Sequence, residues 1–181
     1  MTYTLLRGIL CHKRLMKNYQ TFYRRITGPL IQHPWLIHGL RWLNRAIVVG
    51  MYVSYILLLL WAALFAGGIN ELLPLVFIPG AGFVLLSLIR NHLNYPRPYE
   101  EWPIKPLITR KGGGDSLPSR HVFSATVIAM SVMSVSRVFG LILLTLAVIL
   151  AIVRVIGGIH YPRDVIAGFF CGLACGIVLV I

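Results

Sequence analysis

Three short patterns hold most of the side chains in this chain that could do chemistry: Arg90-x6-Arg97-Pro98, Pro118-Ser119-Arg120-His121, and Arg154-x5-His160-x3-Asp164. Guanidinium groups present forked donors that match the oxygens of a phosphate, and Arg97 and Arg154 are of that kind. Arg90 and Arg120 add positive charge beside them. Ser119 stands where a helix N-cap is wanted, and a helix N-terminus attracts anions through its unpaired N–H groups and its dipole. His121, His160 and Asp164 add groups able to carry or orient a proton. The chemistry this set could serve is the holding of a phosphate group.

Whether the set converges depends on the elements that carry it. The chain has 181 residues, 57% hydrophobic and only 12% charged. Soluble domains carry about 25% charge, so this surface is built for lipid. The charge is lopsided, 17 Lys+Arg against 5 Asp+Glu. Basic residues scattered between apolar runs suit anionic headgroups and membrane orientation, and they exclude a nucleic-acid binder, which needs a soluble basic face. Cys11, Cys171 and Cys175 form neither a disulfide framework nor a zinc spacing.

Runs long enough to span a bilayer need about 20 apolar residues. They are read at residues 46–66, 72–89, 122–136, 138–153 and 165–181, predicting an all-α, polytopic membrane bundle of about five transmembrane helices. Residues 1–45 hold eight Lys/Arg and no acid. With Tyr3, Leu5, Leu6, Ile9, Leu10, Tyr19, Phe22 and Tyr23 among them, they predict an amphipathic helix lying at the interface, broken at Pro29 and Pro34. Trp35 and Trp42 suit interfacial anchors before the first span. The chain therefore divides into a basic N-terminal segment, 1–45, and a transmembrane domain, 46–181, whose long loop at 91–120 is the functional one. In that loop Gly112-Gly113-Gly114 is read as a source of mobility near the site entrance. Gly168, Gly172 and Gly176 form a small-residue stripe that suits packing inside the bundle first and a homodimer seam second.

Counting crossings places the chemistry. If each helix crosses once, Arg90, Arg97, Arg120, His121, Arg154, His160 and Asp164 all reach one membrane face. Ionisable groups at a membrane boundary are costly and are read as functional. Snorkelling arginines would explain one or two of them, but not two histidines and an aspartate delivered beside them.

The three patterns resemble the tripartite signature of the type 2 phosphatidic acid phosphatase superfamily, K-x6-RP, PSGH and SR-x5-H-x3-D, which also unites prenyl-pyrophosphate phosphatases and vanadium haloperoxidases. The resemblance spans Arg90 to Asp164. It implies an integral-membrane lipid phosphatase acting on phosphatidic acid, phosphatidylglycerol phosphate or polyprenyl pyrophosphate. It also implies roles: His160 attacks phosphorus to form a phosphohistidine, Asp164 orients its ring, and His121 protonates the leaving oxygen. Arg90, Arg97, Ser119, Arg120 and Arg154 hold the phosphate. No metal or other cofactor is expected, because arginines supply the charge. Three departures stand out. Arg90 replaces the usual lysine, Arg120 the usual glycine, and Val153 the serine before Arg154; none touches a residue implied in bond making.

A catalytically silent lipid-phosphate binder of the same fold is the competing reading, against which the intact His121, His160 and Asp164 count. Sixteen of the 17 Lys/Arg fall on the face of the site by this count, with Arg137 alone opposite. The positive-inside rule then predicts a site facing the cytoplasm, although better-known relatives have six helices and an extracytoplasmic site. His92 has no place in the signature, and adjacent Glu100 and Glu101 are not read as an acid/base pair.

Overall fold

A computed structural model describes residues 19–66, 69–109 and 113–181. Expectations resting on residues 1–18, and on Gly112, lie outside them. Among the described residues the regular elements are helical: α1 (residues 19–31), α2 (Pro34–Phe65), α3 (Ile69–Leu93), α4 (Pro98–Glu101), α5 (Arg120–Met133), α6 (Arg137–Ile156) and α7 (Pro162–Gly176), followed by a 3-10 turn at Ile177–Leu179.

Among the described residues four stretches are long and apolar enough to cross a membrane, those built on α2, α3, α6 and α7. The fifth expected span is shorter. Helix α5 has 14 residues, about 21 Å at 1.5 Å per residue against a hydrocarbon core of about 30 Å. It needs no lipid-facing length, because α2, α3, α6 and α7 pack around it and nine of its residues are buried. It still carries the chain from one end of the bundle to the other. At the far end Phe65, Glu71, Ser134 and Leu179 line one cavity. The patterned residues gather at the opposite end, as counting crossings requires.

Helix boundaries differ from the hydropathy reading where helix and membrane boundary are different things. Helix α2 starts at Pro34 rather than near residue 46, with proline in its first turn, where a missing N–H costs nothing. Its 32 residues span about 48 Å, so its first turns project beyond the bilayer, with Trp35 and Trp42 exposed. On that projection Arg41 Nε donates to the Leu107 carbonyl at 2.7 Å. Pro29 does not break α1, which ends at residue 31. The carbonyl it leaves unbonded, four residues back at exposed Arg25, is open to water. Helix α1 is amphipathic, but its buried side, Tyr23 and Thr27, packs on the protein: Tyr23 Oη donates to the Lys105 carbonyl.

Helix α3 contains Pro74 and Pro79. Pro79 deprives the Leu75 carbonyl of its helical partner, and Tyr55 Oη of α2 donates to that carbonyl at 2.7 Å. Membrane helices tolerate proline where a neighbour satisfies the freed group in this way. Tyr55→Phe is expected to destabilise the fold by about 1–3 kcal/mol, the cost of an orphaned buried acceptor. Thermal unfolding in detergent measures it.

The glycine stripe on α7 is buried against α5 of the same chain. A Cβ at Gly168 would lie 2.6 Å from the Ser119 carbonyl oxygen, one at Gly172 2.9 Å from that of Phe123, and one at Gly176 2.4 Å from Met130 Cβ. The stripe is thus filled inside the bundle and is not open as a homodimer seam. Gly168→Val is expected to force α7 off the N-terminus of α5, costing about 1–3 kcal/mol by overpacking. Activity should fall with it, because the displaced backbone is that of Ser119. A variant with wild-type melting temperature and turnover would contradict this packing.

Candidate active site

Each motif residue reaches the site end from a different helix terminus. Arg90 lies in the last turn of α3, Arg97 at the N-cap of α4, and Arg154 in the last turn of α6. Ser119 caps α5, followed by Arg120 and His121 in its first turn. His160 sits in the turn between α6 and α7, and Asp164 in the first turn of α7. Ser119, Arg97, His160 and Asp164 are 0% exposed, Arg90 1% and Arg154 5%. Three buried guanidinium groups beside one buried carboxylate leave the cluster positive, and burying such an excess is costly unless an anion shares it.

Backbone contacts lock the parts together. The Ser119 N–H donates to the Asp164 carbonyl at 2.9 Å, joining the start of α5 to the start of α7. Arg90 Nη1 donates to the Pro118 carbonyl at 3.3 Å. Arg97 ties two segments to its own: Nε donates to Gly114 O at 3.0 Å and Nη2 to Asp115 O at 3.0 Å, while Nη1 donates to Ile159 O at 2.8 Å. At least three of its five N–H groups therefore hold protein, a task the motif alone does not disclose. Ser119 occupies the N-cap position, but its side chain makes no cap bond; its buried Oγ has no hydrogen-bond partner among the described residues.

Asp164 does two things at once. Its Oδ2 accepts the Tyr161 N–H at 2.9 Å, the bond expected of a first-turn acid, and also the Ser116 hydroxyl at 2.5 Å. The same oxygen lies 3.7 Å from His160 Nδ1, within electrostatic reach but beyond hydrogen-bond length. Both His160 ring nitrogens are buried without a hydrogen-bond partner among the described residues. Buried polar atoms are normally satisfied, so unpaired ones gathered at one place mark where a ligand belongs.

Burial lowers the His160 pKa to about 4, and the charges of Arg97 and Arg154 act in the same direction against Asp164. The imidazole is therefore neutral at pH 7, with a lone pair for a nucleophile. The acid limb of kcat/KM is expected near pH 4 rather than near the ordinary histidine value of about 6.5. A pH–rate profile corrected for titration of the substrate phosphate measures it. A limb near 6.5 would contradict the burial.

His121 and Arg120 are half-buried. His121 helps line a small cleft with Met51 and Tyr52 of α2 and Leu150 of α6. The residues that sequence reasoning passed over are supporting ones. Glu100 accepts the Arg97 N–H at 2.8 Å and the Gly114 N–H at 2.7 Å, and Glu101 accepts the Tyr161 hydroxyl. Adjacent carboxylates thus serve different partners, as their opposed directions imply. Gly114 is held by both Glu100 and Arg97, so its φ of +66° serves a pinned turn rather than the expected mobility. Trp102 Nε1 donates to Tyr161 Oη at 3.0 Å. Ser116 carried no motif signal; only its contact reveals it. His92 is exposed.

An all-helical bundle with buried arginines, a histidine and a carboxylate gathered at one end suits the holding of a phosphate group at a membrane boundary. The chain belongs to the PAP2 superfamily, whose family model matches residues 71–181. No curated protein matches the chain by sequence. Among solved structures the fold is similar to that of LpxE from Aquifex aeolicus, with a TM-score of 0.67 and 24% identity, covering 88% of this chain and 93% of that one. It is equally similar to a transmembrane PAP2 type phosphatidylglycerolphosphate phosphatase from Bacillus subtilis, with a TM-score of 0.67 and 22% identity, covering 97% and 90%.

Proposed function

We propose that this protein hydrolyses a lipid phosphate monoester or pyrophosphate through a phosphohistidine on His160. The observation that carries the reading is the neutral, buried His160, its ring nitrogens without a hydrogen-bond partner among the described residues, set between Asp164 and a cluster of buried arginines. Asp164 faces Nδ1, so Nε2 is the attacking atom, and the carboxylate stabilises the positive charge that develops on the ring. The Nε2–P bond forms as the P–O bond to the lipid breaks, and His121 gives its proton to the leaving oxygen. Water then attacks phosphorus, His121 takes the water's proton, the N–P bond breaks, and inorganic phosphate leaves. Arg90, Arg97, Arg120 and Arg154 with Ser119 stabilise charge on the phosphoryl oxygens.

Phosphatidic acid, phosphatidylglycerol phosphate and polyprenyl pyrophosphate remain the candidate substrates, the second supported by the likeness to the Bacillus subtilis enzyme. The site is read as facing the cytoplasm, since the positive-inside rule favours the end that collects the basic residues. Purified protein should release phosphate from at least one lipid of that panel. Brief reaction with a radiolabelled substrate should leave an acid-labile, alkali-stable label on the protein. Turnover without such a label would sink the phosphohistidine. Labelling of a cysteine placed at Gly113 by an impermeant reagent from outside intact cells would overturn the cytoplasmic assignment.

A further inference from the structure

Helix α1 precedes the residues that the family model matches, and none of the three motifs includes a residue of it. Yet it meets the turn that carries His160 directly. The Tyr19 ring lies edge-on to Tyr161 at 4.7 Å, next to His160 in the chain. One turn on, Phe22 and Ile26 form a wall of a groove of about 500 Å³ whose other walls are Val148, Ile152 and Val155 of α6 and Ile166 and Phe170 of α7. The twelve described residues that line it are all apolar, and it reaches Ile156 and Pro162, which flank the turn carrying His160.

We propose that this groove binds a hydrocarbon chain of the lipid phosphate that His160 attacks, an inference that rests on the phosphatase reading above. The lining decides the occupant. An extended peptide segment would bring N–H and C=O groups against walls whose described residues offer no partner, which is expensive; a hydrocarbon chain brings none and is thin enough for the groove. The volume falls within the range of about 300–1,000 Å³ of ligand sites. Ile152, Ile166 and Phe170 are more than half exposed, so a chain can slide in sideways from the bilayer. Polar groups sit at the end nearest His160. The Tyr19 hydroxyl is buried with no hydrogen-bond partner among the described residues. Burial, with the nearby Tyr23 and Asp164, raises its pKa, so it remains a neutral donor for an oxygen where chain meets headgroup. Arg24 and Arg25 are exposed on the same helix and suit an anionic lipid.

The test compares a long-chain lipid phosphate with a short-chain, water-soluble one bearing the same headgroup. Ala151→Trp fills the groove from α6, Phe22→Ala removes its α1 wall, and Leu141→Trp alters α6 outside it. Ala151→Trp should lower kcat/KM for the long-chain lipid about tenfold or more while the short-chain value stays within about twofold. Phe22→Ala should act in the same direction, and Leu141→Trp should leave both unchanged. Equal losses on both lipids, or no loss, overturn the groove. Native mass spectrometry of both lipids with wild-type protein and Ala151→Trp reads occupancy apart from turnover. Chain-dependent binding without phosphate release would overturn the phosphatase reading and keep the groove, whereas chain-independent binding would overturn the groove.

Discussion

His160→Ala is expected to abolish phosphate release, lowering kcat by about 10³-fold or more while the protein still folds. A factor of 10³ corresponds to about 4 kcal/mol of activation free energy, more than the loss of one phosphate hydrogen bond would cost. The distinction matters because His160 is buried among residues that merely hold the site. If it only helped to position phosphate, alanine would raise KM and leave much of kcat. Removing a buried imidazole that lacks a hydrogen-bond partner among the described residues orphans no partner and leaves only a cavity, so melting temperature should fall modestly with the fold kept. The pair of measurements, kcat and thermal unfolding in the same detergent, separates the alternatives. An alanine variant as active as wild type would show that some other group attacks phosphorus.

Arg97→Lys is expected to cost both stability and activity although it keeps the charge. The guanidinium reaches the carbonyls of Gly114, Asp115 and Ile159 in three directions at once. A lysine ammonium is a single point on a flexible stem and cannot span them. Each hydrogen bond to a charged group contributes about 1.5–3 kcal/mol, and two of the three carbonyls would be left without that donor. The Ile159 carbonyl is one residue before His160, so the proposed nucleophile would lose its anchor as the fold loosens. A fall of about 100-fold in kcat/KM is expected, since small misplacement of reacting atoms is that costly, with a clear drop in melting temperature. If Arg97→Lys instead retained near-normal stability and lost only affinity for substrate, phosphate contact would be its whole task. Arg90→Lys is the instructive contrast. It restores the residue usual in the family, and the bond at 3.3 Å to Pro118 O is one that lysine can also donate.

Hydropathy and spacing made much of this architecture readable. Low charge specified a membrane bundle, and counting apolar runs brought Arg90, Arg97, Arg120, His121, Arg154, His160 and Asp164 to one end. Both are local or additive properties: a side chain's affinity for lipid and the direction reversal imposed by each crossing. Less readable were the places where one residue's environment comes from a distant segment. Hydropathy could not tell that the run at 122–136 would be a 14-residue helix enclosed by its neighbours, because a run shielded by protein and a run facing lipid look alike.

The same limit governs the cluster of arginines and histidines. Their types and their common face follow from the sequence, because charge, hydrogen-bonding capacity and crossing parity are carried by the residues themselves. Tertiary structure alone decided that Arg97 clamps three backbone carbonyls, that Ser116 and Tyr161 fix Asp164, that the Gly168 stripe is filled by α5, and that α1 covers the turn bearing His160. Each of these depends on contacts between residues distant along the chain, and such contacts exist only once packing has selected one arrangement of the helices.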